Sequence, residues 1–464
     1  MSAERRLKGV GVSYAALQLI VVGVGRAPSW DEAIYLSQVS PNAHALPFVA
    51  SRARGITLLV LPVARLTSST EALRLFLIVA SAAALVAAFR VWIPVVGGAA
   101  LAAGAFAFTW LGLLYGSGVM PNLWTALLCV AATGWVTRSV GSPARGDVRR
   151  AAICFALMAL MRPPDALILA GALGVCVALI RGPLRPILWS VSGAIIGSIP
   201  WIVEMSVRFG GPAGALRESF RLSHVASTGF AQRLAQHLAL TNGPTLGPVA
   251  DPSVPPVGAL WWGLLAALSV FAVAATRRDM RARPGAALAA IGGIALAAEY
   301  LFVIAGLAPR FLLPGYGLLS VSAATGAVLL RRQLASSVVT TALAAAASVL
   351  LVWHIGVAGR VTSAIAAADG RSREVGVAIR DAAASTPCDV ASDASFPQIG
   401  LASGCEARPL QDPSAPSWIA AAPGDGRVGF VALRGTRTAL PAGLSGSPIP
   451  GPQDWTIYRI TSPA

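Results

Sequence analysis

Ser29-Trp30-Asp31-Glu32-Ala33-Ile34-Tyr35 follows directly on the first long apolar stretch of the chain and sets two carboxylates side by side at its edge. Only 20 of the 464 residues are acidic. A carboxylate at the border of a bilayer is expensive to keep dry, so such residues are either tightly paired or functional. The S-x-x-E spacing of Ser29 and Glu32 fits a capping box, in which Glu32 turns back on the helix start. Asp31 then faces the positive end of the helix dipole. An acid held ionised and fixed in that way suits a general base, so the capping and catalytic readings are compatible. Adjacent acids on one helical turn point in different directions, which argues against the opposed carboxylates of a glycosidase. One base suffices when the leaving group is already an anion such as a phosphate.

Arginines supply the complementary charge. Arg310 stands in Ala308-Pro309-Arg310-Phe311-Leu312-Leu313-Pro314, at the end of an apolar span. A guanidinium there holds a phosphate bidentately or snorkels to lipid head groups. Arg52 and Arg54 precede the semi-apolar stretch Gly55 to Leu66 and carry the same two readings. Arg162-Pro163-Pro164-Asp165 interrupts an apolar run, and an Arg and an Asp at membrane depth pair with each other or with another charge. Glu204 and Glu299 lie near the outer ends of spans. His44, His224, His237 and His354 show no metal-ligand spacing, so no metal site is expected. There is no Walker loop and no strand–GxGxxG–helix unit. No cofactor has a recognisable motif, and only a divalent cation stays open.

The elements that must position these residues are membrane helices. Apolar residues make up 55% of the chain and charged ones 12%, with a mean hydropathy of +0.68, against about 25% charged in a soluble domain. Transmembrane helices need about 20 apolar residues. Candidate spans are 9–25, 72–91, 94–113, 119–137, 151–161, 164–180, 186–207, 258–276, 285–305, 311–330 and 335–355, about eleven in all. The fold class expected is an α-helical polytopic membrane protein with a small C-terminal α/β domain outside the membrane.

The net charge is +16, yet from residue 356 onward nine arginines balance nine acids. The surplus therefore lies in short loops between spans, where the positive-inside rule explains it. Nucleic-acid binding, which calls for clustered Arg on a soluble surface, is excluded as an expectation. The Arg-rich loops fall on one side if the N-terminus is cytoplasmic and 151–180 counts as two segments. The expected domains are then residues 1–355, a membrane domain with outer loops 26–71 and 208–257, and 356–464, an extracytoplasmic C-terminal domain. Gly55 to Leu66 is too short to span and fits an interfacial amphipathic helix. In the exported domain, Arg427 to Leu433 and Trp455 to Ile460 read as strands and Glu374 to Ala384 as helix. Cys388 and Cys405 are its two cysteines, and an exported pair suggests a disulfide.

Taken together, an acidic pair in the first outer loop, interfacial helices, a broken fifth/sixth pair, the Arg-Phe-Leu-Leu-Pro entry to a late span and an exported tail resemble the GT-C glycosyltransferases. The resemblance is to their bacterial protein-mannosyltransferase-like and aminoarabinose-transferase-like branch. Pro397-Gln398-Ile399-Gly400 with Ser403-Gly404-Cys405 resembles the exported tails of actinobacterial members. The resemblance covers most of residues 9–330 as an arrangement, on short motifs. It implies membrane helices around an outward cavity in the plasma membrane, a polyprenyl-phosphate sugar donor, a glycan, protein or lipid acceptor, and inverting transfer. It puts Asp31 at the catalytic base and Arg310 near the donor phosphate. Glu32 and Tyr35 would orient the base or the sugar. One departure is Asn122, which stands where an acid of the second outer loop is expected. A transporter or lipid flippase, or a non-catalytic scaffold of the same fold, are the rival expectations.

Overall fold

The structure is a computed structural model and describes residues 2–141, 144–222, 229–243, 246–247, 252–253, 255–279, 283–303, 307–334, 337–435 and 438–461. The chain folds into two compact units. One comprises Met1–Gly23, Val49–Gly55 and Phe76–Thr362, and the other Val24–Phe48, Ile56–Leu75 and Ser363–Ala464.

Among the described residues, seven helices are long and apolar enough to cross a membrane. They are Thr70–Arg90, Pro121–Gly141, Arg185–Phe209, Pro256–Asp279, Gly285–Val303, Pro309–Leu334 and Ser337–Ala383. Ala99–Ala107 and Trp110–Gly116 make an eighth if this pair, bent by 76°, is one span. The remaining expected spans fall on Ala3–Leu17, Arg145–Met161 and Pro163–Leu179. The first two open on charged turns and the third has 17 residues, so neither length nor apolarity alone marks them as crossings. The break expected at Arg162 is present: one helix ends at Met161 and the next starts at Pro163, since a proline supplies no N–H to continue the ladder.

Packing in this unit relies on small residues, as helices in lipid have little hydrophobic drive to associate. Gly193 and Gly197, spaced as G-x-x-x-G, lie against the Arg145–Met161 helix. A Cβ built on them would sit 2.2 Å from the Ala152 carbonyl oxygen and 2.0 Å from that of Ala156. Any side chain at either glycine forces the two helices apart.

The Ser337–Ala383 helix has 47 residues, about 70 Å at 1.5 Å per residue, more than twice a hydrocarbon core. Its apolar half ends before Arg360. From there Asp369, Arg371, Arg373, Glu374, Arg380 and Asp381 make it strongly charged. Residues 363–383 belong to the second unit.

That second unit is built on a five-stranded sheet, ordered β2-β1-β3-β5-β4. Its strands are β1 (Cys388–Ser392), β2 (Glu406–Pro409), β3 (Val428–Arg434), β4 (Ser445–Ile449) and β5 (Trp455–Thr461). β1 pairs parallel with β2 and β3, while β5 runs antiparallel to β3 and β4. The buried core on one face comprises Ala391, Ala415, Ile419, Val431, Leu433 and Ile460. Cys388 at the start of β1 is bonded to Cys405 just before β2, tying the two parallel strands at the same end. The helix joining them, Phe396–Ser403, is the surface on which the first loop folds. The Trp30–Ser37 helix packs against it, with Trp30 edge-on to Phe396 at 5.0 Å. Gly55–Leu66 is helical, as expected for an interfacial segment.

Candidate functional site: an acid-bearing helix and an arginine–aromatic cluster

Asp31 occupies the first turn of the Trp30–Ser37 helix and is half-buried. The helix forms there because the capping box closes. The Ser29 N–H donates to Glu32 Oε2 at 2.9 Å, so Glu32 returns to the backbone three residues earlier. The rest of the helix is apolar and buried: Ala33, Ile34, Tyr35 and Leu36 are each no more than 8% exposed. Tyr35 packs its ring edge-on to Phe48 at 5.8 Å. At the far end the Ser37 hydroxyl donates to the Ile34 carbonyl and accepts from the Leu46 N–H at 3.1 Å, which turns the loop back on itself.

Glu32 is fully engaged in holding this turn. Arg74 Nη1 donates to Glu32 Oε1 at 3.1 Å and Nη2 to Oε2 at 3.2 Å, a bidentate fork. The same guanidinium caps the carbonyls of Arg26 (Nε, 2.9 Å) and Ala27 (Nη2, 3.1 Å). Arg26 stands 3.7 Å from Glu32 Oε2. Burial pushes the Glu32 carboxyl up, but Arg74, Arg26 and the bonds from Arg74 and Ser29 outweigh it and hold the group well below the usual carboxylate range. Asp31 thereby stands on a helix start whose neighbouring acid is favoured in its ionised form and paired with arginine.

Sequence reasoning missed Arg74, which is 1% exposed. It is 42 residues from Glu32, one turn into an apolar run, where a lone arginine carries no local signal. It also missed Asp369 and Gln398 of the same unit, joined by a 2.8 Å bond from Gln398 Nε2 to Asp369 Oδ1.

The membrane unit holds the other expected residues. Arg310 lies in a 3-10 turn, Pro309–Leu312, that enters the next helix. Its guanidinium sits 5.0 Å from the Phe311 ring centroid. Arg162 lies 5.1 Å from that ring and 5.1 Å from the ring of Tyr300, and these two rings are stacked at 5.2 Å. Arg162 Nε donates to Asp165 Oδ1 at 3.1 Å, its Nη2 bonds the Tyr300 hydroxyl, and that hydroxyl donates to Asp165 Oδ1 at 2.6 Å. The helix break therefore presents an arginine fixed by Asp165 and Tyr300, with Arg310 on the same aromatic ring. Glu299 beside Tyr300 is 3% exposed, and its Oε2 lacks a partner among the described residues.

Arg54 is engaged by Glu204 through Nε at 2.8 Å and Nη2 at 2.7 Å, and Glu204 also accepts from Arg208 at 2.9 Å. Gly55, its neighbour, lies against the end of the Arg145–Met161 helix, where a Cβ would stand 2.7 Å from the Leu160 carbonyl oxygen. The Arg52–Gly55 segment thus reaches the residues just before Arg162. Arg52 is half-buried on it. Asn122, at the first turn of its helix, is buried, and its Nδ2 lacks a partner among the described residues. No group of three or more His, Cys, Asp or Glu arranged to hold a metal occurs among the described residues. His224 lies outside them.

No protein-family model matches the chain, and no curated protein matches it. Solved structures do. ArnT from Cupriavidus metallidurans bound to undecaprenyl phosphate superposes with a TM-score of 0.69 at 12% identity, over 99% of this chain and 98% of that one. Its apo form gives 0.66 over the same shares. The archaeal oligosaccharyltransferase AglB from Archaeoglobus fulgidus, in complex with an inhibitory peptide and a dolichol-phosphate, gives 0.50 at 13% identity, over 92% of this chain and 69% of that one. At these identities the likeness is one of architecture: from end to end, this chain has the fold of ArnT.

Proposed function

We propose that this protein is a GT-C glycosyltransferase that moves a sugar from a polyprenyl-phosphate donor to an envelope acceptor on the outer face of the plasma membrane, with inversion. The observation that carries this reading is the end-to-end likeness to ArnT, a protein solved with undecaprenyl phosphate bound. AglB, likewise solved with a lipid phosphate, shares the fold. The sequence-stretch Trp30–Tyr35 then supplies chemistry in the first outer loop, as the family resemblance implies.

In this reading the chain crosses the membrane about eleven times, with the N-terminus cytoplasmic, residues 1–355 as the membrane domain and 356–464 outside. The donor's phosphate meets the basic, aromatic-backed surface of Arg310 and Arg162, and Arg52 adds charge nearby. Arg54, gripped by Glu204, fixes the segment carrying Arg52. Asp31 takes the proton of the acceptor hydroxyl as its oxygen attacks the anomeric carbon. The bond from that carbon to the phosphate oxygen breaks on the opposite face, and polyprenyl phosphate leaves as an anion stabilised by fixed positive charge. Glu32 and Tyr35 are positioning residues for Asp31, one through Arg74 and the other through Phe48.

The test is a reconstituted assay with a labelled polyprenyl-phosphate sugar and isolated envelope material. Label moves to the acceptor and free polyprenyl phosphate accumulates in step. Movement of intact donor between leaflets without release identifies a flippase, and absence of both overturns the catalytic reading.

A further inference from the structure

The second unit contains a cavity of about 410 Å³ whose lining residues all belong to that unit. Asp369 and Gln398 line it, each 7% exposed. Asp369 Oδ1 is satisfied by Gln398 Nε2, but Asp369 Oδ2 and Gln398 Oε1 lack partners among the described residues. A buried acceptor without a donor costs about 1–3 kcal/mol, and here two such atoms belong to residues that line one cavity. Gln398 Oε1 is an acceptor, and so is Asp369 Oδ2 in its ionised form, so what completes them is a donor.

The remaining lining gives the donor its character. Arg373 and Arg380 line the same cavity and are exposed, in contrast to Asp369. Asp369, Arg373, Val377 and Arg380 follow the i, i+4, i+8, i+11 spacing of one helix face, and the two guanidiniums arise about 10 Å apart along the axis. Arg380 also reaches the exposed Asp381 at 3.3 Å. The segment Thr67-Ser68-Ser69-Thr70 adds hydroxyl groups to the wall, and Leu36 and Val377 add apolar patches. One carboxylate against two arginines disfavours a cation. The wall mixes polar and apolar groups in similar measure, which suits a ring with hydroxyl and C–H faces better than a wholly apolar prenyl or acyl chain. The volume lies in the range of small-ligand pockets and far above that of a single water.

We propose that this cavity is a saccharide subsite for a glycan bearing an anionic substituent, a uronate or a phosphate. Sugar hydroxyls donate to Asp369 Oδ2 and Gln398 Oε1 at the buried end. The anionic group meets Arg373 and Arg380 at the exposed end, and the C–H face of the ring lies on Leu36 and Val377. This names the chemistry of the acceptor. Its place as the acceptor site rests on the transferase reading, whereas the binding itself does not.

The experiment is ligand-observed saturation-transfer NMR on the full chain in nanodiscs, without donor, using glucuronate, glucose and inorganic phosphate as probes. Glucuronate shows saturable binding, about tenfold tighter than glucose or phosphate alone. Asp369→Ala weakens it by about tenfold, and the paired Arg373→Ala/Arg380→Ala change removes the preference for glucuronate over glucose, each step of that size being about 1.4 kcal/mol. The arginine pair is exposed, so it carries the test even if Asp369→Ala does not fold. Three results overturn the proposal: no saturable sugar binding, phosphate binding as tight as glucuronate, or glucuronate binding untouched by the arginine pair. Donor-dependent transfer measured separately distinguishes a failed subsite from a failed transferase reading.

Discussion

Arg74→Met removes one partner of a buried ion pair and leaves the other in place. Arg74 and Glu32 side chains are each 2% exposed. The substitution deletes the fork onto Glu32 and the two bonds to the Arg26 and Ala27 carbonyls. Breaking a buried pair from one side costs about 3–5 kcal/mol, because an uncompensated charge stays buried. Arg26 at 3.7 Å offsets part of this, so the lower end is expected. At 1.36 kcal/mol per factor of ten, the Trp30–Ser37 helix opens about 200- to 5,000-fold more often. Hydrogen–deuterium exchange by mass spectrometry on the solubilised full chain reads this directly, because local opening sets amide exchange. Peptides covering residues 30–37 exchange faster by that factor in Arg74→Met. Adding Glu32→Gln to Arg74→Met, which neutralises the stranded carboxylate while keeping an acceptor for the Ser29 N–H, recovers a large part of the protection. Exchange within about threefold of the parent in Arg74→Met, or no recovery in the double variant, refutes the claim that this pair holds the acid-bearing turn.

Asp369 gives a pH dependence. Burial, reinforced by the Glu32 charge and opposed by Arg26, Arg74 and the Gln398 bond, pushes its carboxyl up to about 7. A raised carboxyl binds its proton more tightly in the folded state, so its contribution to stability is complete below the unfolded value and is lost as pH rises through about 7. The denaturation midpoint of the purified chain therefore falls between about pH 5 and pH 8, and Asp369→Asn flattens that slope; an equal slope in the variant contradicts the assignment. Gly197→Leu drives a side chain into the Ala156 carbonyl and separates two helices. It lowers the yield of monodisperse protein in detergent, while Ala at the exposed Leu188 on the same helix does not; equal size-exclusion profiles for both sink the close-packing argument. Arg310→Ala raises the donor concentration needed for half-maximal transfer by about tenfold with the fold intact, in line with loss of one charge-assisted contact. An unchanged donor response removes Arg310 from the phosphate site.

Local patterns were legible in the sequence and distant pairings were not. Ser29 and Glu32 are three residues apart, so the capping box that shapes the Trp30 turn could be read directly. The pairing of Arg162 with Asp165 was legible for the same reason. Runs such as Val428–Arg434 and Trp455–Thr461 announce strands through their β-branched and aromatic residues. β4, Ser445–Ile449, carries Gly446 and Pro448 and lies at the sheet edge, where a proline is tolerated; nothing in its composition marks it. Arg74 meets Glu32 across 42 residues and Gln398 meets Asp369 across 29, separations at which no local pattern marks a pair. The number of crossings also resists reading, because helices such as Arg145–Met161 mix a charged first turn with an apolar body.

The central claim is that Asp31 is the base in sugar transfer from a polyprenyl phosphate. Initial rates of label transfer for the parent and Asp31→Asn, both shown by exchange to keep the Trp30–Ser37 helix, test it most directly. The expected result is a fall of about 10²–10⁴-fold in turnover, with donor binding unchanged. Transfer by Asp31→Asn at the parental rate contradicts it.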